Sequence, residues 1–201
     1  MKNKLIVFFL LFFIFFYYVQ VSYAQDKRPE IKSENSDSGK HRLGENYGGG
    51  IIFWIDDTGQ HGLISSLSDQ STKGIGWNPG KAVATGASRD ELYSGQTNSE
   101  KIVSVLGNNL QYAARICLDF TITSNKTVYN DWYLPSKYEL NLLYRQKMVV
   151  GGFNITSGIY WSSTESTTTP ETSAWEQEFR FGSQHEDDKD LPDQVRCIRR
   201  F

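Results

Sequence analysis

Sulfur, histidine and charge of one sign are all scarce in this chain. Its 201 residues include two cysteines, two methionines, three histidines and five prolines, and the formal net charge is −2. Each shortage removes a class of function. His41, His61 and His185 lie far apart, with no HxxxH or HxH spacing, so no zinc site is legible. No GxSxG stretch marks a nucleophile elbow. No basic stripe offers a footprint for nucleic acid, and no polybasic cluster offers one for an anionic membrane.

What is present begins with targeting. Lys2 and Lys4 precede an unbroken apolar and aromatic run, LIVFFLLFFIFFYYV at 5–19. Ser22 and Ala24 then place small residues where a signal peptidase reads. This layout predicts a secretory signal over 1–24, cleaved before Gln25. An uncleaved anchor is the alternative, but the run falls short of the roughly 20 residues a helix needs to cross a bilayer. Cleavage removes two lysines and no acid, leaving 19 Lys+Arg against 23 Asp+Glu, a formal −4. The mature chain is expected to be secreted, periplasmic or at the cell surface, with no membrane span. In that oxidising setting an even pair of cysteines, Cys117 and Cys197, invites a disulfide. Two buried thiols are the alternative. A bridge would close a loop of about 80 residues, worth roughly 4 kcal/mol on the chain-entropy model.

Residues 25–45 are charged and almost free of large apolar groups, which predicts a flexible linker and a domain over 46–201. YGGGIIFWI at 47–55 starts a strand. DDTG at 56–59 turns, with Asp57 and Gly59 as turn residues, and HGLISS returns, so a hairpin is expected. Residues 66–97 form a long irregular excursion, for which Trp77 is the expected packing pin. Thr97 and Glu100 stand at capping-box spacing and predict a helix start there. Gly107 and the asparagines after it should interrupt that helix. A second helical segment follows, with Leu110, Ala113, Ala114 and Cys117 on one face.

NDWYLPSKYELNLLY at 130–144 is the densest stretch. Trp132 and Leu134 alternate with Tyr133 as a short strand would. Pro135 stops it, and Ser136 with Glu139 forms a capping box that starts a helix at Lys137. Leu140, Leu143 and Tyr144 supply the helix's apolar face. The tail reads as strands. GIYWSS at 158–163 is one; AWEQEFRFG at 174–182 alternates Trp175, Gln177, Phe179 and Phe181 against Glu176, Glu178 and Arg180; QVRCIRRF closes the chain. Two polar loops, 164–173 and 183–193, lie between them.

In order, GGIIFWIDDTGQHGLI, YAARIC, NDWYLPSKYELNLLY, YWSSTE, AWEQEF and VRCIRRF resemble the bacterial domain family found at the C-terminus of collagen-like adhesins, a family of poorly defined general role. The resemblance covers residues 47–201. The same layout is similar to the larger group that includes the formylglycine-generating enzymes, which share the strand, the LP and the capped helix. Both imply an α+β, C-type-lectin-like fold with two main helices and a small twisted antiparallel sheet. Cys117 and Cys197 sit where such domains often place their closing disulfide. Two departures matter. The formylglycine-generating enzymes use a cysteine pair for chemistry, and here both cysteines have a structural reading. The Glu-Pro-Asn and Trp-Asn-Asp calcium motifs of sugar-binding animal lectins are absent.

No catalytic residue or cofactor is therefore expected. Glu186, Asp187, Asp188, Asp190 and Asp193 supply hard oxygens of the kind calcium takes, although a solvated loop is the plainer reading. Arg196, Arg199 and Arg200 are close enough in sequence to neutralise them. The expected function is non-enzymatic recognition of a glycan or a cell-surface protein through the loops 66–97, 164–173 and 183–193. Glu165, Glu171, Trp161 and Trp175 are the expected ligand-binding residues, combining acids with flat rings. An altered enzyme of the formylglycine-generating group and a structural envelope module are the competing readings.

Overall fold

A computed structural model describes residues 39–71 and 73–201. The expected signal segment, 1–24, and residues 25–38 of the expected linker lie outside the described residues. The compact unit begins at Gly39, ahead of the expected boundary at 46. Residues 39–45 are tied down by backbone bonds from His41 to Gly59 (2.9 Å) and from Gly44 to Ile52 (2.8 Å).

The fold is α+β. A four-stranded antiparallel sheet runs β1 (Asn46–Tyr47), β2 (Gly50–Ile55), β3 (Gly62–Ser65) and β9 (Ile198–Arg200), so the first and last strands of the unit share one sheet. Helices α1 (Ser94–Leu106) and α2 (Ala113–Leu118) follow β3. A small hairpin of β4 (Ile122–Ser124) and β5 (Thr127–Tyr129) precedes α3 (Lys137–Arg145) and the single turn α4 (Lys147–Val150). A three-stranded antiparallel sheet completes the chain: β6 (Ile159–Glu165), β7 (Ser173–Glu178) and β8 (Gln184–Asp188).

Successive side chains of a strand point to opposite faces, and here both faces are covered. Ile52 and Ile64 enter one core with Ile102, Ala113, Ala114 and Cys117 of α1 and α2. Their neighbours Phe53 and Leu63 enter a second core with Leu140 and Leu143 of α3. Strand β6 straddles the two, with Trp161 in the first and Tyr160 in the second. The small alanines of α2 let it approach the sheet closely enough for a disulfide. Cys117 and Cys197 are bonded, 80 residues apart in sequence and 5.4 Å apart at Cα.

Several local expectations need correction. Asp56, not Asp57, organises the hairpin turn; its Oδ1 accepts from the N–H groups of Thr58 (3.1 Å) and Gly59 (2.9 Å). Helix α1 starts at Ser94 rather than after Thr97, and Tyr93 occupies its N-cap without a side-chain cap. Leu110 lies outside α2 and is exposed. Strand β7 ends at Glu178, with Glu176 buried and Phe181 exposed, so the simple alternation fails. The expected loop 183–193 contains strand β8.

The capped stretch behaves as expected. Ser136 is the N-cap of α3, with both arms of the capping box formed to Glu139. The buried Ser136 hydroxyl also donates to the Glu91 carbonyl at 3.1 Å. Ser136→Ala is therefore expected to cost about 1 kcal/mol, the usual loss of an N-cap, since the Glu91 carbonyl keeps its bonds from the Ser94 N–H and hydroxyl. The denaturant midpoint reads this directly, and an unchanged midpoint would refute it.

Candidate functional site

The four residues expected to bind ligand part company in space. Trp161 is fully buried, and its indole N–H donates to the Ile75 carbonyl at 2.9 Å. Glu165 is also buried; its carboxylate accepts from the N–H groups of Thr85 (2.7 Å) and Gly86 (2.8 Å) and pairs with Lys189 at 2.6 Å. Neither side chain faces solvent, which withdraws both from a loop-surface site. Trp175 is half-buried beneath the Lys137 ammonium, 3.2 Å from its ring centroid. Glu171 alone is exposed, on the rim of a cavity of about 260 Å³ shared with Asn78, Lys81 and Asp188. That cavity is polar and carries no aromatic face.

Among the described residues, no three His, Cys, Asp or Glu side chains are grouped so as to hold a metal ion. The arginines near the chain end look away from the acidic segment for partners. Arg196 pairs with Asp69 at 2.7 Å, and Arg199 pairs with Asp131 at 2.6 Å.

A larger cleft, of about 630 Å³, opens at the other end of the long excursion. Its wall is built from three directions. The β2–β3 turn contributes Asp56 and His61. The end of β9 contributes Arg200 and Phe201, placed by the pairing of Arg200 with Leu63 and by two backbone bonds between Gly62 and Phe201. The start of α1 contributes Tyr93, and Asp131 completes the rim. Phe201 packs against His41 and Tyr47, with ring centroids 4.9 and 5.3 Å away. Trp54 stands edge-on to Tyr93 at 5.9 Å.

Tyr93 is in the left-handed region, with φ 67° and ψ 9°. A bulky side chain is disfavoured there by roughly 1–2 kcal/mol, because Cβ crowds the following carbonyl. Glu139 holds it in place. The Glu139 carboxylate is fully buried and accepts from the Tyr93 N–H (2.9 Å), the Gly95 N–H (3.1 Å), the Ser136 N–H (2.8 Å) and the Tyr133 hydroxyl (3.3 Å). Gly95 is needed for this approach, since a Cβ there would collide with that same carboxylate. Burial raises the Glu139 pKa, and the backbone donors counter it. One carboxylate thus caps α3 and anchors the start of α1.

The electrostatics of the cleft are mixed. The Thr58 hydroxyl, with help from His61 and the turn backbone, holds Asp56 down at about 2. Burial, followed by the charges of Asp56 and Glu139, raises the Tyr93 phenol, so it remains a neutral donor. Among the described residues, the Tyr93 hydroxyl and the Arg200 guanidinium have no hydrogen-bond or ion-pair partner. Half-buried rings, unspent donors and carboxylates therefore line one concave surface. No protein-family model matches the chain, and a search of curated proteins finds no match.

Sequence reasoning missed this cleft. Its only local sign was the unexplained aromatic Tyr93 at the end of a polar loop. The carboxylate that constrains it looked fully accounted for as a helix cap.

Proposed function

We propose that the protein is an exported, non-enzymatic recognition domain of C-type-lectin-like architecture, and that a glycan or a protein surface seats in the Tyr93 cleft. The observation that carries this reading is the constrained Tyr93, edge-on to the half-buried Trp54, in a cleft that the half-buried Phe201 also lines. Backbone strain of this kind persists only where the surroundings over-determine it, and it concentrates at binding sites. Ring faces suit the apolar side of a sugar or an apolar side chain, while Arg200 and the Tyr93 hydroxyl suit hydroxyls and amides.

Three features support the wider reading. The first and last strands of the unit lie in one sheet, and a disulfide ties α2 to the residue before β9. That bond is compatible with an oxidising, extracellular setting. It also leaves both cysteines without a free thiol, which favours recognition over the chemistry of formylglycine-generating enzymes. No helix among the described residues is long and apolar enough to cross a membrane.

A glycan array probed with the purified protein tests the reading, with Tyr93→Asn as the control. Asparagine tolerates the left-handed conformation but removes the ring. Relief of strain and loss of half-buried ring area oppose each other, so stability should change by less than about 1 kcal/mol. Affinity for any captured glycan should fall at least about tenfold, equivalent to 1.4 kcal/mol. Undiminished affinity would place the binding surface elsewhere.

A further inference from the structure

A buried acid and a half-buried one stand apart from the cleft. Glu176, in the middle of β7, is 4% exposed. Asp193 lies between β8 and β9, in a stretch that crosses back over the three-stranded sheet. Each leaves a buried oxygen, Glu176 Oε2 and Asp193 Oδ2, with no donor in reach. The two carboxyl groups lie close enough to interact, and a hydrogen bond between these orphaned oxygens can form only if one of them carries a proton. A single proton therefore satisfies both.

The neighbours offer no alternative. Directly across from Glu176 stand Trp161 on β6 and His185 on β8. Asp187, two residues further along β8, adds a third negative charge that acts on both acids. Beyond Asp193 the chain bridges to Ile75, whose N–H donates to the Asp193 carbonyl at 2.8 Å. Among the described residues no lysine or arginine is bonded to either carboxyl group.

We propose that Glu176 and Asp193 share one proton, and that this proton fastens the crossing segment 189–194 to β7, so that its loss releases the segment. The fastening is specific in place. On one side it bears on the Ile75 bridge. On the other it bears on Gln194, whose carbonyl accepts from the Trp161 N–H at 3.0 Å and whose N–H donates to Ile159 at 2.8 Å. With both acids ionised, two adjacent, poorly solvated charges repel, and Asp187 adds to the repulsion.

The direction with pH follows. Burial, then the contact with Asp193, pushes the Glu176 carboxyl up to about 9 from its ordinary 4.5, and burial raises Asp193 as well. The unfolded chain releases its protons at ordinary carboxylate values, while the folded pair keeps one. The stability from this pair is complete below pH 4.5, declines as pH rises, and is gone once pH passes about 9. One proton corresponds to as much as tenfold in the folding equilibrium per pH unit, about 3 °C in Tm for a domain of this size.

The test is thermal unfolding of the purified protein at a series of pH values, for the parent, Glu176→Gln and Asp193→Asn. An amide at either position donates permanently and does the proton's work. The parent Tm should fall as pH rises from about 4.5 to about 9, while both variants stay nearly flat and exceed the parent at high pH. Hydrogen exchange on the parent alone gives an independent readout. The amides of Ile75, Trp161 and Gln194 should open with rising pH faster than hydroxide catalysis accounts for. Parallel pH profiles in all three proteins, or exchange that follows hydroxide alone, would overturn the proposal. So would calcium that raises the parent Tm, abolishes its pH dependence and does neither in Asp193→Asn, since the pair would then be a cation site.

Discussion

Lys189→Met is expected to destabilise the domain by about 3–5 kcal/mol, the cost of stranding a buried charge. Lys189 and Glu165 are each 1% exposed at the side chain and meet at 2.6 Å. The ammonium has three protons and three oxygen acceptors: Glu165, the Val83 carbonyl at 3.2 Å and the Pro170 carbonyl at 2.5 Å. It also sits 4.3 Å from the Trp77 ring centroid. Burial lowers the Lys189 pKa, and the Glu165 carboxylate opposes that shift. This one pair therefore joins the end of β6 to the loops around residues 83, 170 and 189. Methionine fills a similar volume but leaves Glu165 with neutral donors only, so the carboxylate must take up a proton or drag its loops toward water. Glu165→Leu combined with Lys189→Met removes both charges and should recover much of the loss, because replacing a whole buried pair is often neutral. Urea unfolding of the parent and both variants measures the difference. A single variant within about 1 kcal/mol of the parent would show that the pair is hydrated and weak.

The second large effect is expected at the disulfide. Replacing Cys117 and Cys197 together by alanine should lower Tm by about 10 °C. The chain-entropy model gives roughly 4 kcal/mol for a loop of this length, and each kcal/mol is worth about 2–4 °C in a domain of this size. Both sulfurs are fully buried in the first core, so alanine also loses packing. Double substitution is the right comparison, because a buried bond resists reductant until the domain opens. Non-reducing peptide mapping of the parent should recover the two cysteines in one linked fragment. Free thiols there, or an unchanged Tm in the variant, would rule out a closing bond.

The fate of particular residues shows what was legible in the chain. Ser136 and Glu139 announced their capping box because the geometry needs only four consecutive residues. Trp77 was readable as a pin because a large ring in a polar stretch has few other uses. Glu165 misled. An acid after an aromatic strand, in a run of Ser and Thr, looks free to bind. Its donors arrive from Thr85, 80 residues earlier, and Lys189, 24 residues later. Glu176 misled in the same way, since period-two alternation assumes one wet face and β7 is covered on both. Arg199 and Arg196 looked like counterions for the acidic segment beside them, yet their carboxylates come from 68 and 127 residues away.

The sequence by itself determined what depends on near neighbours: the hairpin from β2 to β3, the break at Gly107, the cap of α3, and the presence of exactly one possible disulfide partner for each cysteine. Only the tertiary structure decided which acids are buried and paired, which way Tyr93 is constrained, and where rings and unspent donors meet in a cleft. The physical reason is the range of the forces concerned. Caps and turns are hydrogen bonds within a few residues, so their signature is local. A buried charge is tolerable only beside a partner that the fold brings in from afar, and Tyr93 keeps its left-handed backbone only because Glu139, 46 residues on, accepts its N–H.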